Sequence, residues 1–172
     1  MKRYIAVAIC SVAVILWVGF IWSNSAKTGE ESGEMSEQVQ EVIVEVSEQL
    51  NVDVPTTEHA VRKGAHFFEY TVLGVLLAVD MTFICALFSR GKFLVDVLRI
   101  FIALPISFSV ALIDEFVIQK STDGRGPSFG DVMIDMSGTL LAVVCVVLVL
   151  ALARYIAFKR VSKQLDSKEC CE

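Results

Sequence analysis

The sequence lacks the features that would point to a nucleic-acid-binding protein or to a zinc hydrolase. It has no basic stripe of the kind that contacts a phosphate backbone, and its formal net charge is −5. Its two histidines do not form an H-E-x-x-H motif, and its five cysteines have neither metal-site nor disulfide-framework spacing. We therefore expect free thiols and no nucleic acid among the partners.

Long apolar runs, by contrast, are abundant. Hydrophobic residues make up 55% of the 172 residues, whereas an ordinary soluble domain is roughly 45–50% apolar. Four stretches are long enough for a bilayer crossing, which needs about 20 residues. They cover residues 4–22, 66–88, 93–118 and 130–158. The sequence therefore predicts one all-α membrane domain over residues 1–172, built as a bundle of four transmembrane helices.

Two of these stretches admit a second interpretation. The first is followed by small residues at 23–26 that a signal peptidase could accept, but its apolar run exceeds the roughly 7–15 residues of a cleaved signal. The third has a short apolar core at 100–113, so by its length it could be a re-entrant segment, whereas charges only near both ends and a kink-prone Pro105 between them favour a full crossing. We interpret the first stretch as an uncleaved anchor and the third as a full crossing with a kink near Pro105.

The distribution of lysine and arginine predicts the orientation of the bundle. Basic residues precede the first helix, fill the short connection at 90–92 and follow the fourth helix, whereas the connection at 23–65 is rich in acids. Because positively charged loops stay in the cytoplasm, both termini should be cytoplasmic and the 23–65 connection external. In the cytoplasmic half, Asp80 and Arg99 have similar depths, which predicts an ion pair with Asp96 as the rival partner.

The external connection contains a predicted amphipathic helix at about 34–50. Its apolar residues fall on one stripe of the helix, and a row of glutamates lies on the opposite side. The stripe consists of Met35, Val39, Val42, Ile43, Val46 and Leu50. Interfacial helices usually have a basic polar face that attracts anionic lipid, whereas this polar face is acidic. We therefore expect the stripe to cover the outer mouth of the bundle. The alternative is a solvated helix with only a marginal contact.

Polar side chains concentrate at the predicted outer ends of the second, third and fourth helices. The candidate pocket residues have similar depths: Arg62, Lys63, His66, Glu69, Tyr70, Asp114, Glu115, Gln119, Arg125, Asp131 and Asp135. Acids in hydrocarbon are costly unless they are partnered or hydrated, so these side chains should turn inward and meet the bases. The sequence predicts an extracytoplasmic polar pocket, and the alternative is a purely structural ion network.

Single residues of this set also have simpler interpretations. Asp131 has capping-box spacing from Ser128 and could be a helix cap. Arg62 and Lys63 could be interfacial anchors, and a lone His66 would most often be structural. Because these residues occur together, we expect six of them to line one shared cavity beneath the acidic helix: Arg62, His66, Glu69, Glu115, Arg125 and Asp131.

Three motifs follow one another in this part of the chain. They are R-K-x-x-H-x-x-E-Y from Arg62, D-E-x-x-x-Q from Asp114, and G-R-x-x-S-x-x-D-V-x-x-D-x-x-G from Gly124. In this order they resemble the VanZ-like family of small bacterial membrane proteins, named after a factor associated with teicoplanin resistance. The resemblance covers about residues 62–138 and places the candidate pocket residues at motif positions. The chain departs from the usual D-E-x-x-Q spacing by one extra residue before Gln119.

The resemblance implies a bacterial plasma-membrane protein of the cell envelope but supplies no reaction and no cofactor. One hypothesis is a resistance factor that binds a polar lipid head group or a lipid-linked wall component, with an anion held by Arg62, Lys63 and Arg125. The other is a membrane enzyme in which His66 and the carboxylates act as acid and base or bind a divalent ion. Transport has less support, because one polar layer gives no continuous polar path.

Overall fold

The computed structural model describes residues 2–52, 57–88, 93–124 and 126–169, which form helices joined by short connections. The helices are α1 (Lys2–Ser25), α2 (Gly29–Leu50), α3 (Glu58–Phe88), α4 (Phe93–Ile100), α5 (Ala103–Ile113) and α6 (Phe129–Glu169). A π-helical turn, Asp114–Ile118, and a 3-10 turn, Gln119–Ser121, continue α5. Four segments are long and apolar enough to cross a membrane: Arg3–Ser25, His59–Leu87, Phe93–Ser121 and Phe129–Gln164. The prediction of an all-α membrane bundle is confirmed.

Helix α3 lies at the centre of the bundle. It packs against α1, α4, α5 and α6, and also against α2. Its side chains Leu73 and Leu77 are buried with Ile100 of α4 and Val143 of α6. Burial of such side chains from three helices makes α3 the element on which the positions of the others depend.

Two glycines allow α3 and α6 to approach each other closely. A Cβ atom added at Gly74 of α3 would lie 3.0 Å from the Cα of Thr139, and one added at Gly138 of α6 would overlap the carbonyl oxygen of Phe67. Small residues at such crossings let helix backbones come together in membranes, where lipid offers no hydrophobic drive for association. The last glycine of the third sequence motif is therefore a packing residue.

The third crossing is interrupted between α4 and α5. Pro105 has no N–H group, so the carbonyl of Phe101 cannot accept the helical hydrogen bond from residue 105, and the proline ring crowds that carbonyl. The Phe101 oxygen accepts the N–H of Leu104 at 3.1 Å instead, in a turn that separates the two helices. The kink expected near Pro105 is therefore a break between two helices.

Helix α2 begins earlier than the amphipathic pattern suggested. Thr28 Oγ1 accepts the N–H of Glu31 at 3.2 Å, and the Glu31 carboxylate accepts the N–H of Thr28 at 3.0 Å. This capping box starts the helix at Gly29. Asn51 ends it in the left-handed conformation, with φ of 53°.

The apolar stripe of α2 covers the bundle only in part. Val42, Val46 and Leu50 are 59%, 47% and 68% exposed. Three other residues of the stripe, Met35, Val39 and Ile43, face α3 across a cavity that is described below. The helix therefore combines the two expectations, since one section faces the bundle and the rest is solvated.

At the other end of the bundle, the predicted ion pair between Asp80 and Arg99 is wrong. Asp80 is 5% exposed and accepts a hydrogen bond from Ser11 of α1 at 3.0 Å. Asp96, the rival partner for Arg99, lies 3.3 Å from Arg154 of α6. Similar depths place two side chains at the same level of the bundle, but they do not determine which helix each side chain faces.

The cysteines behave as the sequence predicts where the structure describes them. Cys10, Cys85 and Cys145 are free thiols. Cys170 and Cys171 lie outside the described residues, as does the basic connection at 89–92.

Candidate functional site

The π-helical turn brings the polar residues of the third crossing together. Its backbone bond joins the N–H of Gln119 to the carbonyl of Asp114, five residues earlier. The Gln119 amide thereby donates to Glu115 Oε2 at 2.6 Å and to Asp114 Oδ2 at 3.3 Å. In an uninterrupted α-helix, Asp114 would point about 100° away from Glu115. The wider turn absorbs the extra residue of the motif and returns Gln119 to both acids.

Donors from other elements complete this arrangement. Glu115 Oε1 accepts the backbone N–H of Ser128, just before α6, at 2.6 Å. Asp114 Oδ2 accepts the hydroxyl of Ser25, the last residue of α1, at 2.9 Å. Because Asp114 and Glu115 are 0% and 1% exposed, these bonds replace hydration of the two acids. They tie three crossings together at one level.

Two ion pairs join α3 to α6 beside these acids. Lys63 Nζ lies 3.5 Å from Asp131 Oδ1, and His66 Nδ1 lies 3.6 Å from Asp135 Oδ1. The second pair is the deeper one, with side chains 11% and 1% exposed, and it is ionic only when His66 is protonated. Lys63 and Asp131 thus form an ion pair between α3 and α6. The simpler interpretations, an interfacial anchor for Lys63 and a helix cap for Asp131, do not include this contact.

Helix α1 contributes residues that the sequence analysis did not include. Asn24 Nδ2 donates to Glu69 Oε1 at 2.7 Å, and Trp17 Nε1 donates to the carbonyl of Glu69 at 2.9 Å. Ser25 binds Asp114, as described above. The only signal for them was the appearance of polar residues in the last turn of an otherwise apolar helix.

We use the name carboxylate layer for Asp114, Glu115, Asp131 and Asp135, because the charges of the first three act on Asp135. Tyr70 is fully buried within electrostatic range of the layer. Arg125, the base expected to close it, lies outside the described residues. Among the residues that the structure does describe, no three His, Cys, Asp or Glu side chains are arranged to hold a metal ion.

A cavity of about 480 Å³ lies between α2 and the first turns of α3, within the range of about 300–1,000 Å³ that ligand pockets have. We call it the α2–α3 cavity. Its α2 wall carries Ser32, Met35, Ser36, Val39 and Ile43, and its opposite wall includes Asn24, Lys27, Arg62, His66, Phe68 and Glu69. Three of the predicted pocket residues, Arg62, His66 and Glu69, thus line it.

The other predicted pocket residues lie beside the cavity and do not line it. They are Lys63, Tyr70, Asp114, Glu115, Gln119, Asp131 and Asp135. His66 connects the two regions, because it lines the cavity and contacts Asp135 of the carboxylate layer. The polar end of the bundle therefore consists of a cavity and a buried network that share one wall.

The start of α2 is attached to the connection that precedes α6. The N–H of Gly29 donates to the carbonyl of Asp123 at 3.0 Å. A Cβ atom at Gly29 would lie 3.0 Å from the carbonyl oxygen of Gly124, which has a left-handed φ of +77°. This glycine pair holds α2 over the cavity at one end.

A family model described as VanZ/LLP1 matches residues 10–151, a range that includes most of α1, all of α2 and all the residues of the cavity and the carboxylate layer. No curated protein and no solved structure matches the chain.

Proposed function

The chain belongs to the VanZ/LLP1 family, and on that premise we propose that it binds an amphiphile of the cell envelope in the α2–α3 cavity. The amphiphile is a lipid or a lipid-linked wall component, and binding protects the cell against a lipid-tailed glycopeptide such as teicoplanin. The observation that carries this proposal is the two-sided lining of the cavity. Apolar side chains of α2 face charged and polar side chains of α1 and α3 across it, and Val61 and Phe68 of α3 add apolar surface to the opposite wall.

The apolar side of the cavity is suited to a hydrocarbon chain. Met35 and Val39 remain 46% and 48% exposed although they face α3. Covering such a surface stabilises a complex by roughly 25 cal/mol for each Å² of apolar area removed from water. The opposite wall offers Arg62, His66 and Glu69 to a polar head group. One molecule with a polar head and an apolar tail satisfies both walls.

We further propose that α2 and the cavity lie outside the plasma membrane of a bacterium and that both termini are cytoplasmic. The basic residues at 2–3, 90–92 and 154–168 support this orientation, since positive loops stay in the cytoplasm. We expect an impermeant thiol reagent to label Glu41→Cys in intact cells but not Cys170. Labelling of Cys170 in intact cells would reverse the orientation, and permeabilised cells give the positive control.

The function is tested at Arg62, which lines the cavity. We expect Arg62→Gln to weaken binding and protection on the order of tenfold, because the variant loses a charged donor, which is worth more than a neutral one. The Arg62 side chain is only half-buried, so the thermal stability in detergent should change little. The measurement is the inhibitory concentration of teicoplanin for a susceptible bacterium that expresses each variant at equal level.

Lys120→Gln, at an exposed site, is the matched control and should protect like the wild type. A glycopeptide without an acyl chain is the second control, and the chain should give no protection against it. If Arg62→Gln and Arg62→Ala both kept full protection and only lowered thermal stability, the cavity would be structural.

A second candidate function is acid–base catalysis on a lipid-linked substrate. It is favoured by His66, which lines the cavity and lies 3.6 Å from the buried Asp135 carboxylate. A carboxylate in this position orients an imidazole for proton transfer. Stoichiometric zinc, manganese or magnesium in the purified chain, or an amphiphile recovered chemically changed, would favour the enzyme over the binding factor.

A further inference from the structure

Lys27, in the connection between α1 and α2, is a cation without an anionic partner in the part of the chain that the structure describes. Its ammonium donates to Asn24 Oδ1 and to Met35 Sδ, both at 3.1 Å. A lysine ammonium has three donors, and a thioether sulfur is only a weak acceptor. Lys27 lines the α2–α3 cavity and is half-buried. Its charge is therefore available to a ligand in that cavity.

Arg62 lines the same wall of the cavity and, like Lys27, has no anionic partner among the described residues. Within residues 2–52, 57–88, 93–124 and 126–169, its side chain forms no hydrogen bond or ion pair, although its charge acts on Glu115. The next residue, Lys63, differs because Asp131 lies 3.5 Å from its ammonium. The sequence hypothesis included Lys63 among the anion-binding residues. In the structure Lys27 lines the cavity and Lys63 does not.

The cavity is locally positive in a chain of negative net charge. Its charged lining residues are Lys27, Arg62 and Glu69, which sum to +1 with a neutral His66. The one acid among them is already engaged by Asn24 at 2.7 Å. The glutamates of α2 are exposed on the other side of the helix. Clustered charge of one sign in a concave site attracts a counter-ion.

We propose that the α2–α3 cavity selects lipids with an anionic, phosphate-class head group, which Lys27 and Arg62 hold while the hydrocarbon chain lies along Met35, Val39 and Ile43. This inference rests on the proposed function and narrows it to one class of ligand. The occupant is a lipid and not free phosphate, because the α2 wall between Ser32 and Ile43 offers apolar surface that an inorganic ion leaves uncovered. Lys27 is the specificity-determining residue.

The local contacts explain how Lys27 would exchange partners. Asn24 bridges Lys27 and Glu69, donating to one side chain and accepting from the other, and so holds the ammonium at the cavity wall. A phosphate oxygen replaces the weak bond to Met35 Sδ with a charge-assisted one, which is roughly twice as strong as a neutral hydrogen bond. Met35 is then free to pack against the hydrocarbon chain.

The test uses the full chain, purified in an uncharged detergent, and three probes. Dioctanoyl phosphatidic acid carries the anion and the chains, dioctanoylglycerol carries the chains alone, and inorganic phosphate carries the anion alone. Calorimetric titration, corrected with empty micelles, should give phosphatidic acid an affinity at least about tenfold above those of the other two. Raising the salt concentration should weaken the binding of phosphatidic acid and leave that of dioctanoylglycerol unchanged.

Lys27→Gln should lower the affinity for phosphatidic acid about tenfold and leave that for dioctanoylglycerol unchanged. Arg62→Gln should do the same, and Lys27→Arg should restore the binding. Lys120→Gln removes an equal charge from an exposed site at the same end of the bundle and should change neither affinity.

Each remaining outcome overturns a defined statement. Equal affinities of the wild type for the charged and the neutral lipid would overturn the charge selection and leave the proposed function in place. Phosphate binding as tight as lipid binding would overturn the choice of a lipid. A loss of both lipids in Lys27→Gln would make Lys27 structural, and a wild type that binds neither lipid would overturn the proposed function as well.

Discussion

Replacing Glu115 with glutamine should lower the free energy of unfolding by about 3 kcal/mol, because it disrupts an acid of the carboxylate layer that accepts two hydrogen bonds. Glu115 accepts one hydrogen bond from the backbone of Ser128 and one from the amide of Gln119, each at 2.6 Å. Glutamine offers one accepting oxygen, and its NH2 group then faces the other donor. At 1% exposure, water cannot satisfy the donor that is left over.

The measurement is the loss of helical circular dichroism of purified variants in detergent, during heating and during titration with a denaturant. Glu34→Gln is the matched control on the exposed side of α2 and should stay within about 0.5 kcal/mol of the wild type. Unfolding of Glu115→Gln at the wild-type temperature would show that these two bonds do not stabilise the polar end of the bundle.

The same variant separates the buried network from the cavity. Arg62 lines the α2–α3 cavity, whereas Glu115 lies beside it in the carboxylate layer. If the cavity is the functional part, Arg62→Gln acts on binding and Glu115→Gln acts on stability. A reversed pattern, with binding lost only in Glu115→Gln, would move the functional site into the layer.

The membrane fold and the polar end of the bundle were both predictable, because their signals are local. Long apolar runs require crossings, and the spacing of Arg62, His66 and Glu69 along one helix places them on one side of it. The structure has these three residues on the wall of one cavity. Pro105 likewise predicted the irregularity in the third crossing, because its missing N–H leaves the carbonyl four residues earlier without a helical hydrogen bond.

The contacts between helices were less predictable. Helical spacing assigns a face to each side chain on its own helix, but the neighbour of that face depends on how the helices rotate in the bundle. For this reason Asp80 contacts Ser11 and not Arg99. The same limit hid the role of Asn24 and Lys27, which are single polar residues after an apolar run.

The π-helical turn shows a third limit. Counting at 100° for each residue separates Asp114 from Glu115, and the extra residue before Gln119 increases the apparent mismatch. The chain widens one turn instead, and Gln119 reaches both acids. A change of helix type has no signature in hydropathy, so the spacing motif was recognisable while its geometry was not.

The close crossing of α3 and α6 positions every ionic contact between them. The backbone of α6 at Gly138 lies against that of α3 at Phe67, between the His66–Asp135 pair and the bond from Thr139 to the carbonyl of Tyr70 at 3.3 Å. The atoms in contact here are backbone atoms, which cannot move aside in the way that the end of a flexible side chain can. Any side chain at this position must push the two helices apart.

Gly138→Ala should therefore destabilise the chain by about 3 kcal/mol or more, the upper range for forcing extra atoms into a packed interface. Its Cβ would overlap the carbonyl oxygen of Phe67 and lie 2.8 Å from Thr71 Oγ1. Gly64→Ala is the control, because Gly64 lies near the start of α3 and no atom is within 4 Å of the added Cβ. It should stabilise the chain by up to about 1 kcal/mol through helix propensity. Thermal and denaturant unfolding in detergent should thus shift in opposite directions for one added methyl group. Equal stability of the two variants would mean that the helices are not held at this distance.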